Sequence, residues 1–383
     1  MDRTTLVRGA VFTASVRDLG GSGHAVVEHP SGQVVFVPGA WPGEVVQVRV
    51  TEVKSRFARG VLLAVEQPGA PRRTPPCAYH GNDARHCGGC PWQFVAYPAQ
   101  CVAKQQRVVA ELARLGIGED IVQPIIPSDS ELGYRNRAQL RSDGRRLGFL
   151  AEGGRELVDV ESCPVLDAAT AAHLAELRAA LPAKQWRPAR RGQWTRIDID
   201  GELGVSVNAR LPFRQGNNAQ NTRMRAWLAE RLTPLAGGGK ALELFAGSGN
   251  FTRVLAQAGF DSIVAVEAVA AATSALAALG LPGVSVVQQD LYAADAYGPL
   301  LRAHGDARLL LLDPPRDGLQ AAPALFGARS ALRDVLYVSC DLATFCRDVR
   351  VMQEAGFVAE VVQPLDLFPQ TPHVELLAHF SRA

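Results

Sequence analysis

A cysteine follows a segment that the sequence predicts to be a buried strand. The run Val335–Val338 is apolar, and Cys340 comes two residues after it. The apolar-flanked segment His373–Glu375 brings an acidic side chain from a second strand end. A thiolate is a strong nucleophile, and a carboxylate can accept a proton during a reaction. Cys340 and Glu375 therefore predict a nucleophile and a proton acceptor in one cleft, which favours an enzyme over a scaffold.

A glycine-rich turn, Glu243–Phe251, lies between an apolar run and a helical segment. Its Gly-x-Gly pattern lets backbone amides come close to a ligand. Glu267 follows about 20 residues later at the end of the next apolar run, where an acidic residue can bind a ribose. A dinucleotide site needs a third glycine, and Phe251–Val254 has none. The turn therefore favours S-adenosylmethionine over NAD.

A third acidic position, Asp313, ends the apolar run Leu309–Leu312 and is followed by two prolines and Arg316. Prolines fix the backbone at the sheet edge where open α/β sheets bind ligands. We expect Asp313 to hold the amine of the cofactor or the target base. Enzymes that methylate amino groups place an aromatic residue where Arg316 stands, so Arg316 argues against methylation of adenine N6.

The chain has seven cysteines, an odd number with tight spacings, which indicates metal binding or catalysis rather than disulfides. Cys87 and Cys90 form a Cys-x-x-Cys knuckle, and Cys77 lies ten residues upstream. Cys163, followed by a proline, is the natural fourth ligand. Four thiolates suit zinc and an iron–sulfur cluster about equally on spacing alone.

Composition is that of a folded protein. Of 383 residues, 47% are hydrophobic and 20% are charged, and the net charge is only +2. Any contact with nucleic acid must therefore come from local basic clusters rather than from a global field. The sequence shows no signal peptide and no apolar run of membrane-spanning length, so we expect a cytoplasmic protein without membrane contact.

Elements that position these residues divide the chain into three predicted domains. Residues 1–68 contain five short strand-like runs separated by turn residues, which is typical of a small β-barrel of the OB type. The runs are Gly9–Val16, His24–Glu28, Gln33–Val37, Glu44–Val53 and Gly60–Val65. A proline-rich linker, Pro68–Pro76, marks the boundary.

Residues 69–205 form a predicted α+β domain, with a helix over Ala99–Leu115 and strands over Arg137–Arg141 and Thr195–Ile199. Residues 206–383 begin with a helix over Asn218–Leu232, after which apolar runs alternate with helical segments. That alternation predicts an α/β fold with a parallel, doubly wound sheet. Its strands are Ala241–Phe245, Ile263–Glu267, Val284–Val287, Leu309–Leu312 and Val335–Val338.

Several motifs in order resemble the RNA 5-methyluridine methyltransferase family. The likeness covers nearly the whole chain and is greatest to the members with an N-terminal TRAM domain and a [4Fe-4S] cluster, which include enzymes that methylate 23S ribosomal RNA. The glycine-rich turn also resembles the first motif of class I methyltransferases. The segments that carry the resemblance are Pro38–Glu44, Phe213–Asn217, Glu243–Gly249, Asp313–Arg316, Ser339–Cys340 and His373–Glu375.

The resemblance implies a Rossmann-like methyltransferase domain that uses S-adenosylmethionine to methylate C5 of a uridine in RNA. Cys340 would add to C6 of the uracil, because C5 alone is too weak a nucleophile, and Glu375 would then remove the proton from C5. In the family, this nucleophile is commonly followed by Asn-Pro or Asp-Pro. Here Asp341 is followed by Leu342.

The resemblance also implies two sets of ligands. Gln215 contacts the cofactor from outside the core sheet, and Asp290 approaches the adenine. Glu267 holds the ribose hydroxyls, while Phe245 and Asn250 line the methionine and adenosine pocket. Cys77, Cys87, Cys90 and Cys163 bind the [4Fe-4S] cluster, and the family likeness tilts this choice away from zinc.

Other functions remain open at this point. Ribosomal RNA is the favoured substrate, and the T-loop of transfer RNA is the alternative. A different class of protein, an RNA-binding iron–sulfur protein without turnover, is disfavoured because both Cys340 and Glu375 are present. Cytosine-C5 enzymes use similar chemistry but place their cysteine in a Pro-Cys or Thr-Cys pair. We expect a monomer.

Overall fold

The computed structural model describes residues 6–154, 156–190, 193–235, 237–320, 322–327 and 331–382. The chain forms two compact units. Unit 1 contains residues 1–102, 130–211 and 369–372, and unit 2 contains residues 103–129, 212–368 and 373–383. The division into three domains, with boundaries near residues 68 and 205, stays a prediction.

Unit 1 begins with a five-stranded closed barrel, as the sequence predicts. Its strands follow the order β1-β2-β3-β5-β4 around the barrel. Side chains alternate along β4, where Val46, Val48 and Val50 are buried and Arg49 faces outward. This alternation fills the barrel with valine. The strands are β1 Val11–Leu19, β2 Ala25–Glu28, β3 Val34–Val37, β4 Val45–Val53 and β5 Ala58–Gln67.

A second sheet of unit 1 is antiparallel and has the order β10-β9-β6-β7-β8. Helix α2 covers it and begins at Asp167, whose carboxylate accepts a hydrogen bond from Thr170 N at 2.8 Å. The sequence predicts only β6 and β9, since the other strands are short. The elements are β6 Arg137–Ser142, β7 Leu147–Leu150, β8 Leu157–Asp159, α2 Ala168–Ala179, β9 Thr195–Asp200 and β10 Gly204–Val207.

Unit 2 is built on a seven-stranded sheet of order β13-β12-β11-β14-β15-β17-β16. The first five strands in this order are parallel, as predicted, whereas β17 runs antiparallel to both β15 and β16. The prediction of a parallel, doubly wound sheet is confirmed for its five strands, and the two strands that it did not include form an antiparallel hairpin at this edge. The strands are β11 Lys240–Leu244, β12 Ser262–Glu267, β13 Val284–Gln288, β14 Leu309–Leu312, β15 Asp334–Ser339, β16 Val358–Leu365 and β17 Glu375–Ser381.

Helices cover both faces of this sheet. Leu310 and Leu312 of β14 point into a core with the helices on one side, while Leu309 and Leu311 point into a second core on the other. Such alternation of a fully apolar strand is expected of a doubly wound α/β fold. The helices are α1 Tyr97–Ala113, α3 Asn218–Leu232, α4 Thr252–Gln257, α5 Ala270–Ala277, α6 Tyr297–His304, α7 Ala322–Leu325 and α8 Leu342–Glu354. Helix α1 contributes residues from Ala103 onward to unit 2.

Strand order reverses direction between β11 and β14. Connections from these two strands leave toward opposite sides, which opens a crevice at their carboxyl ends. The glycine-rich turn follows β11, and Asp313 follows β14. The fold therefore brings both predicted motifs to the point of an α/β sheet where ligands bind.

Candidate active site

Backbone geometry of the turn after β11 requires its glycines. Phe245, Gly247 and Gly249 all have positive φ, at 63°, 55° and 94°. Gly249 has a backbone conformation that residues with a Cβ rarely adopt, and a Cβ atom there would also lie 2.6 Å from Cδ1 of Leu276 on α5, which would have to move. The turn is thus held tight against the sheet, with Gly247 N bonded to Glu267 and Gly249 N bonded to the carbonyl of Ala246.

Glu267 at the end of β12 is tied to this turn. Its carboxylate accepts hydrogen bonds from Gly247 N at 2.9 Å and from Val269 N at 2.8 Å. The carboxylate is therefore fixed in orientation beside the glycine-rich loop, and each oxygen keeps a lone pair for a further donor. This is the arrangement expected of a residue that binds ribose hydroxyls.

Gln215 and Asn250 both lie near the start of helix α3. Amide groups of Asn250 and Asn221 exchange two hydrogen bonds, at 2.9 and 3.0 Å, which lock α3 to the glycine-rich turn. Gln215 is buried two residues before Asn217, the residue that caps α3. The amide of Asn250 is thus engaged by the protein, so its contribution to a pocket would come from its backbone and the rest of its side chain.

An aromatic residue that the sequence pattern does not reveal lies next to Phe245. The ring of Tyr292 is 5.7 Å from that of Phe245, and its hydroxyl donates a hydrogen bond to the carbonyl of Gly318 at 3.1 Å. Its backbone N donates to Asp290 Oδ1 at 2.9 Å. Phe245, Tyr292 and Asp290 therefore form one group beyond the ends of β11 and β13. A single Tyr two residues after an acidic strand end carries no spacing signal that would have identified it.

Register between β15 and β17 brings Cys340 and Glu375 together. Ser339 is paired with Leu376, and because the strands are antiparallel, the next step of the ladder sets Cys340 opposite Glu375. Cys340 is partly exposed, whereas Glu375 is 3% exposed. The structure thus places the predicted nucleophile and the predicted proton acceptor at one edge of the sheet.

Three protonatable groups at this edge have shifted pKa values. Burial raises the pKa of Cys340 to about 12, and the carboxyls of Glu375 and Asp313 add to the shift while Arg316 opposes it. Burial also raises the pKa of Glu375 well above its usual range, with a further contribution from Asp313. Desolvation by the surrounding protein raises the pKa of Asp313 to about 7. Acidic groups crowded in this way are typical of catalytic sites.

Arg316 and His373 form a second pair beside these groups. A guanidinium nitrogen of Arg316 lies 3.2 Å from Nε2 of His373. Burial lowers the pKa of His373 to about 4, and the positive charges of Arg316, Lys104 and Arg107 add to this effect. The imidazole is therefore neutral near pH 7 and accepts a hydrogen bond from Arg316, which suits a positioning role rather than proton transfer.

Asp341 fixes the backbone that follows the nucleophile. Its carboxylate caps helix α8 by accepting hydrogen bonds from Ala343 N at 3.0 Å and Thr344 N at 2.9 Å. Leu342 stands at the first helical position, which proline also favours, and its side chain is buried. Capping and packing thus order this loop without the proline that is usual in the family.

Asp348 on α8 anchors the loop after Asp313. Its buried carboxylate accepts hydrogen bonds from Leu319 N at 2.8 Å and from the Tyr337 hydroxyl at 2.7 Å. Arg347 adds a bond to the carbonyl of Asp317 at 2.8 Å. Both ends of the segment Asp313–Leu319 are therefore fixed, one by β14 and the other by α8.

A fully buried ion pair supports the segment that leads to Glu375. Lys104 Nζ lies 2.6 Å from a carboxylate oxygen of Asp366, and neither side chain is exposed. Lys104 also donates to the carbonyl of Phe368 at 3.2 Å. The second half of α1 is thereby joined to the chain that follows β16.

Comparisons with known proteins agree with this geometry. A TRAM domain model matches residues 6–63. An uncharacterized RNA methyltransferase of Nitrosomonas europaea is 38% identical over 380 residues, which cover 97% of both chains. The 23S rRNA (uracil(1939)-C(5))-methyltransferase RlmD of Halomonas elongata is 32% identical over 95% of this chain and 89% of the relative. The chain belongs to the RNA 5-methyluridine methyltransferase family.

A solved structure supports the fold of this methyltransferase. The tRNA (uracil-54, C5)-methyltransferase of Pyrococcus abyssi, in complex with S-adenosyl-L-homocysteine, superposes with a TM-score of 0.70. It is 21% identical, and the match covers 96% of this chain and 99% of the other. No described helix of the methyltransferase is long and apolar enough to cross a membrane.

The four cysteines predicted as cluster ligands belong to unit 1 of the methyltransferase and lie in one neighbourhood. Burial raises the pKa of Cys87 to about 11, and nearby Cys163 and Cys77 add to the shift. Burial raises the pKa of Cys90 to about 12, again with a contribution from Cys163. Across the described residues, however, no group of three or more His, Cys, Asp or Glu side chains is arranged to hold a metal ion.

Proposed function

We propose that this methyltransferase transfers a methyl group from S-adenosylmethionine to C5 of a uridine in structured RNA. The observation that carries the proposal is the ladder register that sets Cys340 opposite Glu375 at the carboxyl edge of the sheet. A thiol and a buried carboxyl at one point are what C5 chemistry needs, because the ring carbon must first be activated and later deprotonated.

The residues around the glycine-rich turn suit S-adenosylmethionine, which would supply an electrophilic methyl group. Glu267 would hold the ribose hydroxyls, and Phe245 and Tyr292 would contact the adenosine with Asp290. Gln215 and Asn250 would border the methionine end, next to α3. The fit rests on the tight glycine turn after β11 and on the fixed carboxylate of Glu267 beside it.

Cys340 acts first on the RNA. Its sulfur, after losing a proton, adds to C6 of the uracil, and the electron pair of the C5–C6 bond moves to the C4 carbonyl oxygen as an enolate. The pKa of about 12 means that the thiol needs help to ionise. Asp313, whose pKa burial raises to about 7, is close enough to influence the pKa of this thiol and would accept its proton.

Glu375 acts last. The enolate carbon C5 takes the methyl group and then carries both a methyl and a proton. Glu375, as a carboxylate, would remove that proton, so the C5–C6 double bond reforms and the thiolate leaves. The positive charge of Arg316 favours this ionised state of Glu375. The uridine must be unstacked to reach the site, at a cost on the order of a few kcal/mol.

A trapped adduct tests the proposal. RNA that contains 5-fluorouridine should form a stable bond to Cys340 in the presence of S-adenosylmethionine, because fluorine cannot leave C5 as a proton. Mass spectrometry of the complex should find the bond in the wild type and not in Cys340→Ala, which should still bind the cofactor. Normal methylation of uridine by Cys340→Ala would contradict the mechanism.

Ribosomal RNA is the substrate that we favour. The relatives named RlmD, which match 94 to 96% of this chain, are 23S rRNA (uracil(1939)-C(5))-methyltransferases. The T-loop of transfer RNA is the second candidate, and the Pyrococcus abyssi neighbour, with its named tRNA substrate, is similar in fold. Mapping 5-methyluridine in both RNAs from a strain that lacks the protein distinguishes them. A monomeric state and a cytoplasmic location stay predictions.

We also infer that Cys77, Cys87, Cys90 and Cys163 bind a [4Fe-4S] cluster through their thiolates. Support comes from their shared neighbourhood and from donors aimed at sulfur. Gly89 N donates to Cys87 Sγ at 3.4 Å, and the side chain of Gln93 donates to Cys90. In the structure without a cluster, the four thiols are not arranged to bind metal. Binding of the cluster would therefore have to draw the thiols together. Zinc is the alternative.

A further inference from the structure

A cavity of about 510 Å³ lies in unit 1, outside the site described above. Its walls come from the loop between β3 and β4, from the linker that follows β5, and from the segment that carries Cys77 and Cys87. This volume is within the range of pockets that hold small organic ligands. The residues that matter for its chemistry are Arg72, Arg73, His80, Asn82 and Phe94.

Both arginines of the cavity are already neutralised. Arg72 makes a bidentate ion pair with the buried carboxylate of Glu44, at 2.5 and 2.7 Å. Arg73 does the same with Glu131, at 3.0 and 2.8 Å. A phosphate in the cavity would have to compete with these carboxylates, so the charges favour a neutral polar occupant over an anion.

A stacking surface lies on the wall of the cavity. The guanidinium of Arg72 lies over the ring of Phe94, with its central carbon 4.6 Å from the ring centroid. Its ion pair with Glu44 holds it in that plane. A guanidinium plane fixed in this way is a surface on which unstacked RNA bases are known to stack.

One polar side chain of the cavity has unused hydrogen-bonding capacity. Within the described part of the chain, the amide of Asn82 forms no hydrogen bond, although it packs directly against Gly39. His80 donates a ring N–H to the carbonyl of Pro91, and its Nε2 is fully buried, so it does not face the cavity. The group that can meet an occupant is thus the amide of Asn82, which both donates and accepts.

We propose that this cavity binds one unstacked RNA base that carries an exocyclic amino group, adenine or cytosine. The base stacks on Arg72, and the amide of Asn82 pairs with its edge: the amide oxygen accepts from the amino group, and the amide nitrogen donates to the neighbouring ring nitrogen. An asparagine amide makes two hydrogen bonds to adenine in this way. The proposal rests on the proposed function for its RNA, and it gives the enzyme a second base-reading site besides the one for the target uridine.

Binding of short RNAs tests this site without any catalytic readout. Three RNAs of seven nucleotides are compared, each of them oligouridine with adenine, cytosine or uracil as the central base. Their affinity for the full chain is measured by fluorescence anisotropy. Saturating S-adenosylhomocysteine occupies the cofactor site, so that adenine cannot bind there. The wild type should prefer a central adenine or cytosine over uracil by about 5- to 150-fold, the range for one good base contact.

Asn82→Ala and Asn82→Asp should remove most of this preference and keep the wild-type melting temperature, because the amide has no partner within the protein. Gln67→Ala, which deletes an exposed amide at the end of β5 outside the cavity, should retain the preference. Equal affinity of the wild type for all three RNAs, or a preference that persists in both Asn82 variants, would overturn the proposal. Displacement of the bound RNA by millimolar inorganic phosphate would also overturn the proposal, because the cavity would then bind an anion.

The same measurement separates this site from the catalytic proposal. Cys340→Ala should keep the full preference for a central amino base, since Cys340 belongs to the other unit of the chain. An enzyme that fails to methylate uridine could still show the preference and its loss in Asn82→Ala. Conversely, an intact methyltransferase with no preference would leave the catalytic proposal standing and remove this one.

Discussion

The crevice of unit 2 and the cysteine neighbourhood of unit 1 are organised by different forces. In the crevice, strand ladders and helix caps fix each side chain that we propose to be catalytic before any ligand arrives. Cys340 and Glu375 are set by one register, and Asp341 caps the helix that follows. In the cysteine neighbourhood, the thiols come from loops and lie near each other without ligation geometry. A preorganised site loses function when one group changes, whereas a site completed by its ligand loses its structure.

The largest effect should come from the crevice. Glu375→Gln removes the base that takes the C5 proton, so turnover should fall about a hundred- to ten-thousandfold while methyl transfer to C5 still proceeds. The enzyme should then accumulate as a covalent adduct with methylated RNA, visible on denaturing gels. Glu354→Gln, the same change at an exposed position of α8, should have normal turnover. A Glu375→Gln enzyme that turns over normally would remove Glu375 from the mechanism.

The cysteine neighbourhood should respond in structure instead. Cys90→Ser should lower the iron content of anaerobically purified protein, and the melting temperature should fall because ligand binding stabilises the fold. Cys101→Ser alters a buried cysteine of α1 and should leave the iron content unchanged. Metal analysis and thermal unfolding measure both. Zinc in place of iron in the wild type would change the identity of the ligand, and no metal at all would contradict the site.

The buried carboxyl of Glu243 should make the stability of the protein depend on pH, because burial raises the pKa of this group to about 8. Between about pH 4.5 and 8, the folded protein keeps a proton on this carboxyl that the unfolded chain releases. The free energy of unfolding should therefore decrease as the pH rises through this range, by about a few kcal/mol. Glu243→Gln should flatten this dependence in thermal melts at pH 5 and pH 8. Equal slopes for wild type and variant would show that Glu243 is already ionised in the folded state.

The smallest expected effect concerns the N-cap residues of two helices, α8 in unit 2 and α2 in unit 1. Asp341→Ala and Asp167→Ala each remove an N-cap, and each should cost about 1 kcal/mol of stability. Only Asp341→Ala should also reduce the rate of adduct formation, because only that cap orders the residue after the nucleophile. The rate of adduct formation is measured by quenching reactions with 5-fluorouridine RNA at successive times. Equal rates for both variants would mean that the loop does not need its cap.

The elements that could be predicted from the sequence are those determined by local features, such as a helix cap or an apolar run. Helix α3 begins and ends where expected, since Asn217 caps it, and the buried apolar strands β11, β12, β14 and β15 are found within one or two residues. The direction of β17 could not be derived, because it depends on a hairpin connection that has no turn motif.

Residues that act through tertiary contacts were also missed. Tyr292 joins Phe245 only after β11 and β13 are placed in the sheet, and Asp348 reaches the loop at Leu319 from a different helix. The cavity beside Asn82 likewise arises from several separate segments between Gly39 and Phe94 that form no common motif. Spacing along one segment carries no information about such contacts, whereas the strand-end acids could be read from spacing alone.

The ion pair of Lys104 and Asp366 bears on how unit 2 reaches its native state. Two opposite charges without any solvent exposure tolerate only one alignment of α1, since a shift by one residue would bury an ammonium group against apolar side chains. We expect this ion pair to destabilise folding intermediates in which α1 is misaligned, because their buried charges would be unpaired. Replacing both residues with methionine and leucine should keep the core filled yet allow a mixture of docked states, seen as doubled resonances in NMR spectra.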